Sequence, residues 1–117
     1  MDKKFYIAAN WKMNASLSFI NDYFSFLDSN AENSNEMIIC PPDIYLQPLI
    51  KTAPSFIKTG AQNISSHDAG AYTGECSGEM LADNSVQYVI IGHSERRQYH
   101  QESNEDFPEK SIKSALS

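Results

Sequence analysis

The sequence predicts an α/β fold built on a parallel sheet, and three observations carry that prediction. Short apolar runs at residues 5–9, 37–40 and 88–91, with a weaker strand candidate at 56–62, are separated by segments of helical spacing. Runs that stay apolar instead of alternating suit strands buried on both faces, the parallel-sheet pattern. Strand and helix also take turns along the chain, an order that builds β/α units and not hairpins. Finally, chemically unusual residues follow each run: Asn10-Trp11-Lys12, Pro41-Pro42, Gln62-Asn63 and His93-Ser94-Glu95. That edge is where parallel sheets bind ligands.

Taken in order, residues 5–9 form the first strand, which stops at polar Asn10. Leu17, Ile20, Phe24 and Leu27 then fall on one helical stripe. The Ser- and Asn-rich stretch 28–36 reads as the connection out of that helix. Residues 37–40 form the second strand, closed by Pro41-Pro42. Asp43 is a candidate cap for a short helix carrying Leu46, Leu49 and Ile50, with Pro48 limiting its regularity. Residues 56–62 make a weaker third strand. A long polar loop with Gly70, Gly74 and Gly78 leads to a short helix at 80–83. Residues 88–91 form the fourth strand and end at Gly92. A helix is expected over 104–116, with Pro108 in its first turn and Lys110 and Lys113 later.

At 117 residues and 13.1 kDa the chain has room for one domain. Its net charge of -6 argues against nucleic acid or an acidic membrane as the main partner. A small anion is not excluded, because a few local donors can outweigh a diffuse field. Cys40 and Cys76 make no CxxC and no zinc spacing, so two reduced thiols in a cytoplasmic protein are expected. No stretch approaches the roughly 18 apolar residues of a membrane helix, and the start lacks a signal peptide's apolar core.

The segment Gly92-His93-Ser94-Glu95-Arg96-Arg97 carries the most chemistry. A histidine leaving a buried strand at the ligand edge is placed to polarise a carbonyl, and a following helical turn would favour its neutral form. Lys12 could neutralise a phosphate or a developing oxyanion, and Asn10 could donate to a substrate oxygen. Each also has a plainer role: a structural histidine, a solvated lysine, an asparagine satisfying backbone. Other chemistries fail on spacing. His93-x-Glu95 has no Pro-Cys-x-x-Cys after it, and His67, His93 and His100 form no HExxH. Gly74-Glu75-Cys76-Ser77-Gly78 has its serine in the wrong place for a nucleophile elbow, and there is no P-loop or GxGxxG.

Together these segments resemble the triosephosphate isomerase family. Asn10-Trp11-Lys12-Met13-Asn14 is similar to its opening signature. Gly60-Ala61-Gln62-Asn63 and Gly70-Ala71-Tyr72-Thr73-Gly74-Glu75 resemble its third loop, and Gly92 to Arg97 its electrophile loop. The resemblance spans essentially residues 1–117 and implies a (β/α)8 TIM barrel, of which this chain holds the first four β/α units, the N-terminal half. It implies interconversion of dihydroxyacetone phosphate and D-glyceraldehyde 3-phosphate through an enediolate, a step of glycolysis and gluconeogenesis, with no cofactor or metal. The family pairs a neutral histidine electrophile with a glutamate base. By resemblance Asn10 and Lys12 contact substrate, His93 polarises the carbonyl, Glu95 orients Lys12, and Ser94 holds the resting base. The loop at 63–78 would enter a second subunit of a homodimer. There Thr73 would buttress the partner's site, and Glu75 and Arg96 would pair across the interface.

One departure from the family is large. A full barrel of this type takes eight units and about 250 residues. The glutamate base, the mobile lid and the glycine-rich phosphate grip are expected beyond Ser117, so the 117-residue chain alone is expected to lack appreciable activity. The ending Lys113-Ser114-Ala115-Leu116-Ser117, without a capping glycine, reads as truncation. Two other functions fit the fold: an inactive half-barrel that assembles with a partner half, and a different phosphate-sugar enzyme. The loop motifs argue against the second.

Overall fold

The computed structural model describes residues 6–25, 36–104, 106 and 110. Four parallel strands lie in the order β1-β2-β3-β4. They are β1 Tyr6–Asn10, β2 Glu36–Cys40, β3 Ile57–Ala61 and β4 Tyr88–Val89. Between and after them come α1 Leu17–Ser25, a 3-10 turn Asp43–Tyr45 running into α2 Leu46–Thr52, α3 Gly78–Asp83 and α4 Ser94–Tyr99. The strand-then-helix order of the sequence is thus the order of the fold, as in a partial (β/α)8 barrel.

Laterally paired residues share a face of the sheet. The registers Asn10↔Cys40, Ile38↔Lys58 and Gly60↔Tyr88 therefore place these residues on one side, together with Tyr6. The Tyr6 and Tyr88 rings meet edge-on at 6.4 Å, although they stand on the first and fourth strands. In a flat sheet strands three places apart lie roughly 14 Å from one another, so the sheet is curled with this face inside the curve. Gly60 permits the curl's close packing: a Cβ there would sit 2.6 Å from Cys40 Sγ and 3.3 Å from Ile38 Cγ2.

The opposite, convex face carries the core. Ile39 and Ile57 pack with Ile20 and Phe24 of α1 and Leu49 of α2, and Trp11 closes over them. Trp11 meets Phe19 and Tyr23 edge-on at 5.2 and 5.4 Å. A second cluster joins Leu46, Ala61, Ile64 and Leu81. Burying a side chain such as Leu49 completely contributes about 1.5–3 kcal/mol. Ser16 starts α1 by accepting the Phe19 N–H at 3.0 Å, and Ser77 starts α3 by accepting the Met80 N–H at 3.2 Å.

Several expectations change. The sheet is not buried on both faces at its edge: Tyr6 on the concave side and Ile7 on the convex side are 63% and 47% exposed, because β1 is the outer strand of those described and nothing described covers the concave face beside it. Leu17 shares the helical stripe but is exposed, because only the later turns of α1 reach the cluster. Leu27 lies outside the described residues. Asp43 caps nothing; Pro42 precedes the 3-10 turn and makes no side-chain cap. Pro48 falls in the first turn of α2, where a missing N–H is harmless. Glu36 joins β2 instead of the connection, and Gly78 opens α3 instead of ending the loop. The fourth strand is ladder-paired only at Tyr88–Val89, although Ile90 N–H still reaches Ala61 O at 2.9 Å. In the expected closing helix Lys110 is helical, Asn104 and Asp106 lie in turns, and the remainder falls outside the described residues.

Candidate active site

A cleft opens at the carboxyl edge of the sheet, lined by Asn10, Lys12, Gln62, His93, Glu95 and Arg96 among others. Residues far apart in sequence meet there because each directly follows a parallel strand, and parallel strands end on the same side. Asn10 closes β1, Gln62 follows β3, and His93 follows the β4 run through Gly92, whose φ of 70° turns the chain where a side chain would be strained.

His93 is the N-cap of α4. Its Nδ1 accepts the backbone N–H of Glu95 at 3.1 Å. An accepting Nδ1 carries no proton, so the neutral ring has its hydrogen on Nε2, at the edge opposite the helix. That leaves an N–H donor for the cleft. Lys12 Nζ meets Glu95 Oε1 at 2.9 Å, and Glu95 Oε2 stands 3.7 Å from His93 Nδ1. The hydrogen bond from Lys12 holds the Glu95 carboxyl below the usual range against the raising effect of burial, and the Lys12 charge adds to the lowering. Lys12 has a φ of 56°, and its N–H donates to Asn10 Oδ1 at 2.9 Å. The cleft therefore offers an ammonium, an imidazole N–H and a side-chain amide, a donor set suited to an anionic oxygen-rich ligand.

Thr73 and Glu75 do not reach this cleft. They line an adjoining one with Asn63 and Cys76, and Gln62, Arg96 and His100 border both. Ser94 is exposed at the start of α4 and is not part of the cleft wall. Arg96 is held from behind: its Nε donates to Glu102 Oε2 at 2.6 Å, as does Lys110 Nζ, which also donates to Asn63 Oδ1 at 2.7 Å. Burial would raise the Glu102 carboxyl, but the hydrogen bonds from Lys110 and Arg96 overcome it and keep it below the usual range. Asp43 behaves oppositely: burial raises it, against the lowering effects of the Cys76 thiol and Arg96.

The sequence brings Asn10, Lys12, His93 and Glu95 to mind as a set, and the structure places all four in one cleft. The sequence assigns no role to Gln62 or Glu102. Gln62 has a signal, a polar residue at a strand's carboxyl end. Glu102 has none, although its partners Arg96 and Lys110 lie only six and eight residues away, because nothing in the residue types marks which carboxylate they share. Among the described residues no three His, Cys, Asp or Glu side chains gather as a metal site. Nor is any described helix long and apolar enough to cross a membrane.

Curled parallel strands with intervening helices, and polar groups gathered at their carboxyl ends, make this chain part of a (β/α)8 barrel protein. The profile of the family described as "Triosephosphate isomerase" matches residues 5–117. Proteins named triosephosphate isomerase from Shewanella baltica, Shewanella putrefaciens and a further Shewanella species are each 44% identical to it over 113 residues. These alignments take in 89% of this chain and 44% of each relative, so the chain spans somewhat under half the relatives' length. The chain belongs to the triosephosphate isomerase family.

Proposed function

We propose that this chain supplies the electrophilic and substrate-binding half of a triosephosphate isomerase, interconverting dihydroxyacetone phosphate and D-glyceraldehyde 3-phosphate. The observation that carries this reading is the hydrogen bond from the Glu95 N–H to His93 Nδ1, beside Lys12. It sets Nε2–H as the donor that polarises the substrate carbonyl and then stabilises the enediolate oxygen. Lys12 and Asn10 contact the substrate, Lys12 balancing its negative charge. Glu95 orients Lys12 between turnovers through the 2.9 Å ion pair. Ser94 holds the resting base, and that base comes from β/α units outside this sequence. The chain is read as the N-terminal half of one barrel domain, acting in the cytoplasm without a cofactor.

Thr73, Glu75 and Arg96 gather round the second cleft, which supports the loop at 63–78 as a homodimer contact. A second reading, a half-barrel that assembles with a partner half without catalysis, draws on the exposure of Tyr6 and Ile7.

The test is an isomerase assay on the chain alone and on the chain continued by the remaining four β/α units. Turnover is expected only in the second, and His93→Gln there is expected to lower kcat about 10²–10³-fold. Near-normal turnover from a homogeneous, mass-verified 117-residue sample overturns the predicted inactivity. Restored turnover indifferent to both His93 and Lys12 overturns the site.

A further inference from the structure

Lys12 adopts a φ of 56°, a left-handed conformation that side chains bearing a Cβ resist. Something must hold it there, and the partners are specific. The Lys12 N–H is taken by Asn10 Oδ1 at 2.9 Å. On the other side, Gln62 Nε2 donates to Lys12 O at 2.7 Å and to Cys40 O at 3.0 Å. Both of these partners are backbone carbonyls, which can only accept, so the amide nitrogen must face them and both of its hydrogens are used. Cys40 O is itself fixed by the Trp11 N–H at 3.0 Å. One amide from the end of β3 therefore ties the turn after β1 to the end of β2.

We infer that Gln62 is a positioning residue for Lys12, holding its peptide in the left-handed turn so that the ammonium points back over the cleft toward Glu95. Calling that position productive rests on the proposed isomerase reading. Gln62 touches no reacting atom; it acts through the Lys12 backbone, from a position fifty residues further along the chain. Without its two donors the Lys12 carbonyl is free to turn, the right-handed region becomes the easier one, and the side chain leaves Glu95.

The readout is the Glu95 carboxyl, which Lys12 depresses, followed by carbon NMR across pH in the 117-residue chain. Lys12→Met defines the full rise in the Glu95 midpoint when the ammonium is gone. Gln62→Met, of similar length but with no donor, is expected to give at least half of that rise. A Glu95 midpoint unchanged in Gln62→Met while Lys12→Met shifts it overturns the inference, as does a midpoint that neither variant moves. Should Gln62→Met lose its dispersed amide spectrum, Gln62→Asn keeps the amide with a shorter reach and is expected to give the same rise. In the unsubstituted chain a scalar coupling from Gln62 Nε2 across the hydrogen bond to the Lys12 carbonyl is expected, and its absence also overturns the inference. Titration with inorganic phosphate tests the underlying reading separately. Shifts at Asn10 and His93 that vanish in Lys12→Met support it. No response to phosphate removes it while leaving the Glu95 result to decide on Gln62.

Discussion

Glu102 accepts from both Arg96 and Lys110 through one oxygen, and its side chain is only 8% exposed. Its other oxygen is buried with no partner among the described residues. Two cations thus depend on a single buried charge, and removing one member of such a set costs about 3–5 kcal/mol. Glu102→Gln is expected to lower the stability measured by urea unfolding by that order. The pH dependence has a definite sign. Because the folded carboxyl lies below its ordinary value, its stabilisation is complete above the ordinary glutamate range and is lost as pH falls through the lowered folded value. That acid-side loss is expected to shrink in Glu102→Gln. Asp43 has the reverse sign: its raised carboxyl makes stability fall as pH rises from the ordinary aspartate value through the folded one. Asp43→Asn removes this charge cost, so stability near neutral pH is expected to be unchanged or higher.

At the scale of elements the close contact of β2 and β3 rests on Gly60. The Cβ of Gly60→Ala would meet Cys40 Sγ at 2.6 Å, and Cys40 and Ile38 are 2% and 6% exposed, with little room to move. Overpacking of this kind costs about 1–3 kcal/mol. Adding Cys40→Ala removes the atom in the way, so the double variant is expected to recover most of the loss. Equal destabilisation of single and double variants would show that the strain lies elsewhere. Three of the strands were readable because their apolar runs are short and uninterrupted, β3 only weakly because Lys58 and Thr59 break its run, and Ile20 and Phe24 stood out by spacing. What was not readable is local and polar. A helical turn after His93 was expected, but not the length of the helix at Ser94–Tyr99, whose charged, mostly exposed surface has no apolar stripe, nor its imidazole cap, a partner no pattern of residue types announces. Gly78 looks like loop punctuation, yet a serine cap one residue earlier carries it into α3.

For the whole molecule, the concave face and the outer side of β1 decide behaviour. Tyr6 and Ile7 stand exposed, and among the described residues no strand lies on the outer side of β1, an edge that is a template for further pairing. The 117-residue chain alone is expected to associate in a concentration-dependent way in sedimentation velocity, and four added β/α units that complete a barrel are expected to suppress this. A clean monomer at every concentration would mean that the face is tolerated by water. The site shows the same division between legible and hidden. Asn10, Lys12, His93 and Glu95 were legible because chemistry collects where parallel strands end. Gln62 was visible only as a polar residue at a strand end and Glu102 not at all, because they act on backbone and on other charges, partners that residue types do not announce.

The thiol packed against Gly60 gives the chain a clock. Burial pushes Cys40 up to about 11, and it is nearly sealed, so an alkylating reagent finds neither a thiolate nor a path while β2 and β3 stay together. Its labelling rate therefore counts sheet openings. Cys76 is only half-buried and reports on its loop instead. Followed in one reaction, the two cysteines separate loop breathing from the parting of the strands, using only atoms the chain already has.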